Sequence, residues 1–158
     1  MKKERILFVC LGNICRSPTA EGIFRHLVEE AGLTEHFVIE SAGTGDWHVG
    51  LAPDRRAQAA CRKVGIDVSG HRARQVGVKD FENFDRILAC DAMNEADLRA
   101  LAPEGSTAEI SLLMPYAGQA GETEVPDPWE YGPQAFDRTV ERCQAACKGL
   151  LATIVQGR

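Results

Sequence analysis

A cysteine, an arginine and a serine stand close together in the segment Cys10–Ser17, which reads CLGNICRS. Five residues separate Cys10 from Arg16, and Ser17 follows directly. A short loop of this kind can curl so that its backbone N–H groups point at one centre, which suits a tetrahedral anion such as phosphate. The guanidinium of Arg16 can hold two oxygens of that anion through parallel hydrogen bonds. We therefore predict an oxyanion-binding loop whose further substrate contacts come from Leu11, Gly12, Asn13, Ile14, Cys15 and Ser17.

Cys10 is the predicted nucleophile of this loop. The positive end of a following helix and the charge of Arg16 both stabilise a thiolate, so we expect Cys10 to be ionised at neutral pH. A thiolate aimed at a bound phosphoryl group implies phosphoryl transfer through a cysteinyl-phosphate. The alternative is a cysteine that ends a buried strand as a small apolar residue. Gly12, Arg16 and Ser17 at these offsets favour the nucleophile.

The segment VCLGNICRSPTAEGIF, residues 9–24, resembles the phosphate-binding loop of the low-molecular-weight protein tyrosine phosphatases. The resemblance covers the whole chain, through SAGT at 41–44, HRARQ at 71–75, the stretch Asp91–Asn94 and DPWEYG at 127–132. The loop and the late Asp-Pro pair are its specific parts, and the middle segments are weaker signals. It implies a four-stranded parallel sheet in the order 2-1-3-4, hydrolysis of phosphotyrosine in proteins, and no cofactor or metal.

Asp127, between Pro126 and Pro128, is the candidate general acid. A phenolate leaving group must be protonated, which a thiolate cannot do and a carboxylic acid on the opposite side can. From the residues alone, a solvated aspartate in an Asp-Pro turn is an equally good interpretation. The resemblance implies the catalytic role, in which Asp127 protonates the leaving oxygen and then activates the water that hydrolyses the cysteinyl-phosphate.

Three loop aromatics, Trp47, Trp129 and Tyr131, are candidates for the walls of a substrate slot. The resemblance implies that they hold the phosphotyrosine ring, although each on its own could be a core aromatic. Phenyl stacking would favour an aryl phosphate over the shorter phosphoserine. Glu130, between two of the aromatics, departs from the family's pattern and would disfavour acidic peptides.

Four further residues are predicted to support the nucleophile from behind. The resemblance assigns this role to His71, Arg72 and Asn94, with surface or capping roles as the alternative. Ser41, at the end of the second predicted strand, can hydrogen-bond the loop through Asn13. These residues would fix the shape of the loop without touching substrate.

Cys15 lies in the same loop as the nucleophile. If the loop curls round an anion, its ends approach each other, and Cys15 could come within disulfide distance of Cys10. An accessible thiolate is oxidised first to sulfenic acid, which a second thiol can trap as a reversible disulfide. The alternative is that Cys15 packs against the sheet as a small apolar residue. The first interpretation predicts a redox-sensitive enzyme.

The elements that position these residues follow from the hydrophobic pattern. Short apolar runs predict strands at 5–10, 36–41, 85–90 and 108–113, and amphipathic spacing predicts helices capped by Ser17 and at 54–64, 92–101 and 133–155. The segment between 114 and 133 is predicted to be a long loop. Strands that alternate with helices indicate an α/β fold, a parallel sheet with helices on both faces. We expect a single domain over residues 1–158.

The composition excludes several classes of protein. The charges, 18 basic and 23 acidic, give a net charge of −5 without a basic block, so nucleic acid is not an expected partner. No apolar run is long enough to span a membrane, and the short apolar start is a strand, not a signal peptide. Six cysteines without a zinc-type spacing indicate reduced thiols and a cytoplasmic location. We expect a monomer whose partners are phosphotyrosine-bearing proteins and phosphate or other oxyanions.

Four other functions are compatible with parts of the pattern. Arsenate reduction needs two further cysteines about seven residues apart, and here Cys90 is followed at that spacing by Asp97. The protein arginine phosphatases resemble the loop but carry Thr where this chain has Ile14. A cysteine phosphocarrier needs neither Arg16 nor Asp127, and a phosphopeptide-binding module would be expected to lack one of the catalytic groups. Metal-independent turnover of p-nitrophenyl phosphate separates a hydrolase from a carrier or a binder.

Overall fold

Four parallel strands form one sheet. The computed structural model describes residues 2–118 and 121–157, and its strands are β1 (Glu4–Cys10), β2 (Phe37–Gly43), β3 (Arg86–Ala89) and β4 (Glu109–Leu112). Their order is β2-β1-β3-β4 with every pairing parallel, which confirms the expected fold class. Because β1 pairs with both β2 and β3, its last residue, Cys10, emerges inside the carboxyl edge of the sheet. Ligands bind at this edge in open parallel sheets.

Helices cover both faces of the sheet, as predicted. In the described part of the chain the α-helices are α1 (Arg16–Glu30), α2 (Arg55–Arg62), α3 (Asp80–Asn83), α4 (Ala92–Leu101) and α5 (Pro133–Gln156). One apolar cluster packs α1, α2 and α5 on one face, and a second packs α3 and α4 on the other. Short 3₁₀ turns occur at Thr34–His36 and Met114–Ala117.

The continuous apolar run of β1 reflects burial on both of its faces. Ile6 and Phe8 point to the face of α1 and α5, and Leu7 and Val9 point to the face of α3 and α4. All four side chains are fully buried. Burying one such side chain stabilises the fold by about 1.5–3 kcal/mol, so β1 holds the two layers together and fixes where the chain delivers Cys10.

The start of α1 differs from the prediction. Ser17 is not the N-cap: the helix begins at Arg16, preceded by Cys15, and no side chain caps it. The hydroxyl of Ser17 is occupied elsewhere, because it lies 3.0 Å from the Cys10 Sγ and accepts a hydrogen bond from Asn13. A Ser-Pro pair usually marks the start of a helix, but here the serine side chain makes hydrogen bonds within the loop instead.

Two other elements depart from the sequence prediction. The short helix α3 at Asp80–Asn83 was not predicted, and the long loop after β4 begins with the 3₁₀ turn Met114–Ala117. Gly149 of α5 allows that turn to pack closely, since a Cβ there would lie 1.7 Å from the carbonyl oxygen of Tyr116. A glycine inside a helix therefore has a packing role that its sequence position does not reveal.

No helix in 2–118 or 121–157 is long and apolar enough to cross a membrane. In the same ranges, no group of three or more His, Cys, Asp or Glu side chains could hold a metal ion.

Candidate active site

The nucleophile loop, residues 10–17, connects the end of β1 to the start of α1. The Cys10 Sγ accepts a hydrogen bond from the backbone N–H of Asn13 at 3.3 Å and lies 3.0 Å from the Ser17 Oγ. These contacts draw the loop round the sulfur, and the following helix directs its N-terminus towards it. The curled shape that the sequence predicts is therefore present.

Asn13 fixes the shape of this loop from behind. It has φ +58°, the left-handed conformation that Asn tolerates better than most residues, and its side chain is fully buried. Its Nδ2 donates to the Ser17 Oγ at 2.8 Å and to the Ser41 Oγ at 3.0 Å. Its Oδ1 accepts from the backbone N–H of Arg74 at 3.0 Å and lies 3.0 Å from the His71 Nε2. The predicted supporting positions of Ser41 and His71 are thus observed.

Glu21 continues the network and was not found by sequence reasoning. The Ser41 hydroxyl donates to the Glu21 Oε1 at 2.6 Å, and the His71 Nδ1 lies 3.6 Å from the same oxygen. Burial lowers the pKa of His71, although the charge of Glu21 opposes this effect. The lowered pKa favours the neutral form of His71, and because the Asn13 Oδ1 is an acceptor we assign the ring proton to Nε2.

Arg16 is buried beneath the loop and held by two groups. Its Nη1 donates to the Asp91 Oδ2 at 2.8 Å and to the carbonyl oxygen of Val125 at 3.0 Å. Its Nη2 lies 3.8 Å from the Asp127 Oδ2. Asp91 is a site residue that sequence reasoning did not single out. Its position as the N-cap of α4, directly beyond β3 at the carboxyl edge, is a signal that could have found it.

The environment keeps Arg16 charged. Burial would lower the pKa of Arg16, but the neighbouring Cys90, Cys10 and Asp91 outweigh it and raise the pKa above its usual value. A buried guanidinium with only 2% of its surface exposed therefore stays positive at the base of the loop. A fixed positive charge in a poorly solvated place attracts an oxyanion strongly.

Asp127 stands on the opposite side of the same cleft. Its side chain is 47% exposed, and its Oδ1 accepts a hydrogen bond from the backbone N–H of Trp129 at 3.0 Å. This turn directs the other oxygen towards Arg16. A carboxyl group therefore faces the nucleophile loop across the space where a substrate would lie.

The cleft between them has apolar and aromatic walls. The described residues that line it are Cys10, Leu11, Gly12, Ile14, Cys15, Arg16, Trp47, His48, Asp127 and Trp129. The indole of Trp47 is 69% exposed and that of Trp129 is 46% exposed, so both rings are available to a ligand. The His48 ring stacks near Trp129 with ring centroids 5.8 Å apart. This shape suits a flat ring whose attached anion sits in the loop.

Two glycines are required by the walls of this cleft. A Cβ on Gly45 would lie 1.9 Å from the Trp47 ring, and a Cβ on Gly12 would lie 2.9 Å from the His48 ring. The absence of side chains at these positions lets both rings lie close to the backbone. The aromatic walls thus depend on residues that carry no chemistry of their own.

Two predicted site residues lie elsewhere, and a third has a different environment from the one expected. Tyr131 is not among the described residues that line the cleft; it borders an adjacent depression that Asp127 also lines, together with Arg138 and Arg142 of α5. The guanidinium of Arg72 donates to the carbonyls of Ser69 and His71 and is exposed, because the chain turns outward there. Asn94 is buried beside the site. Its backbone N–H caps α4 through Asp91, and its Oδ1 has no hydrogen-bond partner among the described residues.

Comparisons with known proteins agree with this geometry. The family model described as "Low molecular weight phosphotyrosine protein phosphatase" matches residues 5–158. The low molecular weight protein-tyrosine-phosphatase YfkJ of Bacillus subtilis (strain 168) is 42% identical over 149 residues, which are 94% of this chain and 94% of the relative.

Solved structures share the whole fold. A protein tyrosine phosphatase from Entamoeba histolytica, with Hepes in its active site, superimposes with a TM-score of 0.93 at 35% identity, over 98% of this chain and 99% of that one. DARP, a drosophila arginine phosphatase, superimposes with a TM-score of 0.90 at 34% identity, over 98% of each chain. The chain therefore belongs to the low molecular weight phosphotyrosine protein phosphatases, which are hydrolases of phosphoric monoesters.

Proposed function

We propose that this phosphatase hydrolyses phosphotyrosine in proteins, and small aryl phosphates, through a cysteinyl-phosphate formed on Cys10. The thiolate of Cys10 attacks phosphorus, and the bond from phosphorus to the aryl oxygen breaks. Asp127 gives its proton to the departing oxygen. Water then attacks the cysteinyl-phosphate while Asp127 takes a proton from it, which releases phosphate and restores the Cys10 thiolate. The observation that carries the proposal is that Cys10 and Asp127 line one cleft with Arg16 between them.

The contacts of Ser17 support a thiolate in this role. The Ser17 hydroxyl accepts from the Asn13 Nδ2. Its own proton has two acceptors within reach, the Cys10 Sγ at 3.0 Å and the Ala42 carbonyl oxygen at 3.4 Å, and a thiolate is both the nearer and the charged one. The backbone N–H of Asn13 donates to the same sulfur. Hydrogen bonds to the charged form of a group stabilise that form. Two such hydrogen bonds would stabilise the Cys10 thiolate as the nucleophile of the first step and as the leaving group of the second step.

The contacts of Arg16 support oxyanion binding. Asp91 and the Val125 carbonyl hold its Nη1, while its Nη2 faces the space beside Asp127. Two oxygens of the transferring phosphoryl group would bind the edge of the guanidinium that carries Nη2, and the backbone N–H groups of the loop would bind the third. In the transition state the transferring phosphoryl group flattens and its negative charge is spread over three equatorial oxygens, so donors arranged around that flattened group would bind the transition state better than the substrate.

The walls of the cleft support an aryl substrate. Trp47 and Trp129 offer flat exposed faces, and Leu11 and Ile14 add apolar surface at the base. A tyrosine ring is long enough to carry its phosphate past these walls to Cys10, and a serine side chain is shorter. We accordingly expect phosphotyrosine to be preferred over phosphoserine.

The covalent step is tested with Cys10→Ser. Turnover of p-nitrophenyl phosphate in the presence of EDTA should disappear, while binding of inorganic phosphate, measured by calorimetry, should persist because the N–H groups and Arg16 remain. The matched control is Cys61→Ser, which removes a buried thiol away from the cleft. Activity of Cys10→Ser within about tenfold of wild type would contradict the covalent mechanism.

The general acid is tested with Asp127→Ala and a series of leaving groups. The kcat for phenyl phosphate should fall by about 10²–10⁴-fold, because a poor leaving group needs the proton. The loss should be smaller for p-nitrophenyl phosphate, whose phenolate leaves readily. Glu130→Gln, which neutralises an exposed carboxylate of the same loop, is the control. An equal loss across the series would remove Asp127 from this role.

Phosphoarginine is the second substrate to compare, because DARP is described as an arginine phosphatase. Here the apolar Ile14 lines the cleft, which suits an aryl ring better than a charged guanidinium. A panel of phosphotyrosine, phosphoarginine and phosphoserine peptides should give the highest kcat/KM for phosphotyrosine. A higher value for phosphoarginine would assign the chain to that activity.

The monomeric state and the cytoplasmic location stay predictions.

A further inference from the structure

Arg56 of α2 joins several groups beside the active site that the mechanism does not use. Its Nε and Nη2 each donate to a carboxylate oxygen of Asp54 at 3.1 Å. Its Nη1 donates to the backbone carbonyls of Trp129, at 3.3 Å, and Tyr131, at 3.1 Å. The guanidinium also stacks 4.4 Å from the centroid of the buried Phe136 ring and 5.5 Å from that of Trp129. One side chain thus contacts the acid loop, defined here as residues 125–132, at two carbonyls and one ring.

Asp54 connects the same side chain to the nucleophile loop. Its backbone N–H donates to the carbonyl of Ile14 at 2.8 Å, and its side chain caps α2 by accepting from the Arg56 N–H at 2.8 Å. Burial alone would raise the pKa of Asp54, but the hydrogen bonds from Arg56 outweigh it and hold the pKa below its usual value. The first turn of α2 therefore reaches both loops, one through Asp54 and the other through Arg56.

We propose that Arg56 is a positioning residue that, together with Asp54, ties the acid loop to the nucleophile loop and sets where Asp127 stands relative to Cys10. Asp127 is exposed, and within residues 2–118 and 121–157 its side chain has one hydrogen bond, from the Trp129 N–H, and one ion-pair contact, with Arg16 at 3.8 Å. The carbonyls that Arg56 holds belong to residues two and four positions after Asp127. Their placement therefore limits how far the Asp127 carboxyl can move from the cleft. This inference rests on the proposed acid role of Asp127.

Holding the acid loop in this way requires the planar shape of a guanidinium. Its planar fork binds the Asp54 carboxylate along one edge and still presents Nη1 to two carbonyls, while its flat face lies against aromatic rings. An ammonium group cannot make these contacts together. The side chain is 34% exposed, so the cluster contributes little to global stability and its loss should leave the protein folded.

The test compares Arg56→Met and Arg56→Lys with wild type. Both variants keep an unbranched aliphatic chain at this position and remove the planar fork. The kcat for phenyl phosphate should fall by about 10-fold or more, because a displacement of the order of 1 Å in a catalytic group is costly. The kcat for p-nitrophenyl phosphate should fall much less, since that leaving group needs little protonation. The matched control is Arg55→Met, an exposed arginine one position earlier whose side chain makes no hydrogen bond or ion pair within residues 2–118 and 121–157.

A double mutant separates positioning from a general structural effect. In an Asp127→Ala background, Arg56→Met should cause almost no further loss on phenyl phosphate, because the group that Arg56 places is gone. A loss of the same size in both backgrounds, or equal losses on both leaving groups, would overturn the proposal.

Amide hydrogen exchange gives a readout that does not depend on chemistry. Exchange in a peptide covering 125–131 should speed up in Arg56→Met and stay at the wild-type rate in Arg55→Met. If Asp127→Ala itself shows equal losses across leaving groups, the proposed acid role fails, and exchange alone then decides whether Arg56 holds the loop. Unchanged exchange in Arg56→Met would overturn the proposal in either case.

Discussion

Arg16 and Cys15 show how neighbours decide what a loop residue can do. Arg16 is anchored through one nitrogen by Asp91 and the Val125 carbonyl, which leaves the other edge of its fork for an oxyanion. Cys15 is buried and lines the same cleft as Cys10. Burial first, and then the charges of Cys10 and Asp54, raise the pKa of Cys15 above its usual value. Cys15 is therefore held as a thiol at neutral pH.

The first prediction concerns the protection of Cys10 by Cys15. After inactivation with peroxide, dithiothreitol should restore most of the wild-type activity, and peptide mapping should find a Cys10–Cys15 disulfide. Cys15→Ser should be inactivated irreversibly at the same dose, because the sulfenic acid on Cys10 then lacks a thiol to trap it and is oxidised further. Cys61→Ser, a buried thiol elsewhere, should recover like wild type. Equal recovery of the Cys15→Ser variant would show that Cys15 has no protective role.

At the scale of elements, the loop between β1 and α1 keeps its shape through one residue. Asn13 combines a left-handed backbone with donors to Ser17 and Ser41 and an acceptor for the Arg74 N–H. The last of these bonds joins the loop to the segment after α2 rather than to its own flanking elements. The nucleophile loop is therefore held from its own ends and from a distant part of the chain.

The second prediction separates the two contributions of Asn13. Asn13→Gly keeps the positive φ at low cost but loses the side-chain hydrogen bonds, and Asn13→Ala loses both. The free energy of unfolding should fall in the order wild type, Gly, Ala, with about 1–2 kcal/mol between the variants from the left-handed backbone. The measurement is urea unfolding followed by circular dichroism, with kcat recorded for each protein. A glycine variant less stable than the alanine variant would show that backbone strain is not the decisive factor.

At the scale of the whole molecule, a polar network crosses from α1 to the segment after α2. Glu21 lies on α1, Ser41 on β2, and His71 in the segment that follows α2. The Ser41 hydroxyl and the His71 ring both approach the Glu21 carboxylate, and His71 also reaches Asn13. His71 thus links the nucleophile loop to α1, and burial lowers the pKa of this histidine.

The third prediction is that His71 makes stability depend on pH. The pKa of His71 is lowered in the folded protein by burial, and Arg72 and Arg74 act in the same direction while Glu21 opposes them. Below its unfolded pKa of about 6.5, the unfolded chain takes up a proton that the folded chain resists. The contribution of His71 to the free energy of unfolding should therefore be constant above about pH 6.5. As the pH falls below about 6.5, the free energy of unfolding should decrease by at most about 1.4 kcal/mol per pH unit.

The control for this prediction uses two histidine variants. Urea midpoints at pH 7.5 and pH 5.5 should differ more for wild type and for His26→Gln than for His71→Gln, since His26 is on the surface with 43% of its side chain exposed. A His71→Gln variant with the full wild-type loss at pH 5.5 would show that another group causes it.

The sequence by itself determined the local chemistry. Cys10, Arg16 and Ser17 are close along the chain, so one short loop brings them near each other, and contacts from outside the loop are needed only to hold its shape. The apolar run of β1 and the alternation of strands and helices were likewise sufficient for the fold class, because burial on one or two faces leaves a periodic pattern in the residues themselves. The Asp-Pro signal and the family resemblance located Asp127 in the right loop.

Only the tertiary structure decided which distant groups meet. Asp91 and Arg16 are 75 positions apart, and Arg56 and Tyr131 are also 75 positions apart, so each contact depends on how separate elements pack. The same cause explains where two predicted site residues lie: Tyr131 borders a depression between Asp127 and α5, and the Arg72 side chain is exposed, although both lie in segments that resemble the family. A sequence pattern specifies which side of an element is buried, but the neighbour that covers it is chosen by the packing of the whole sheet.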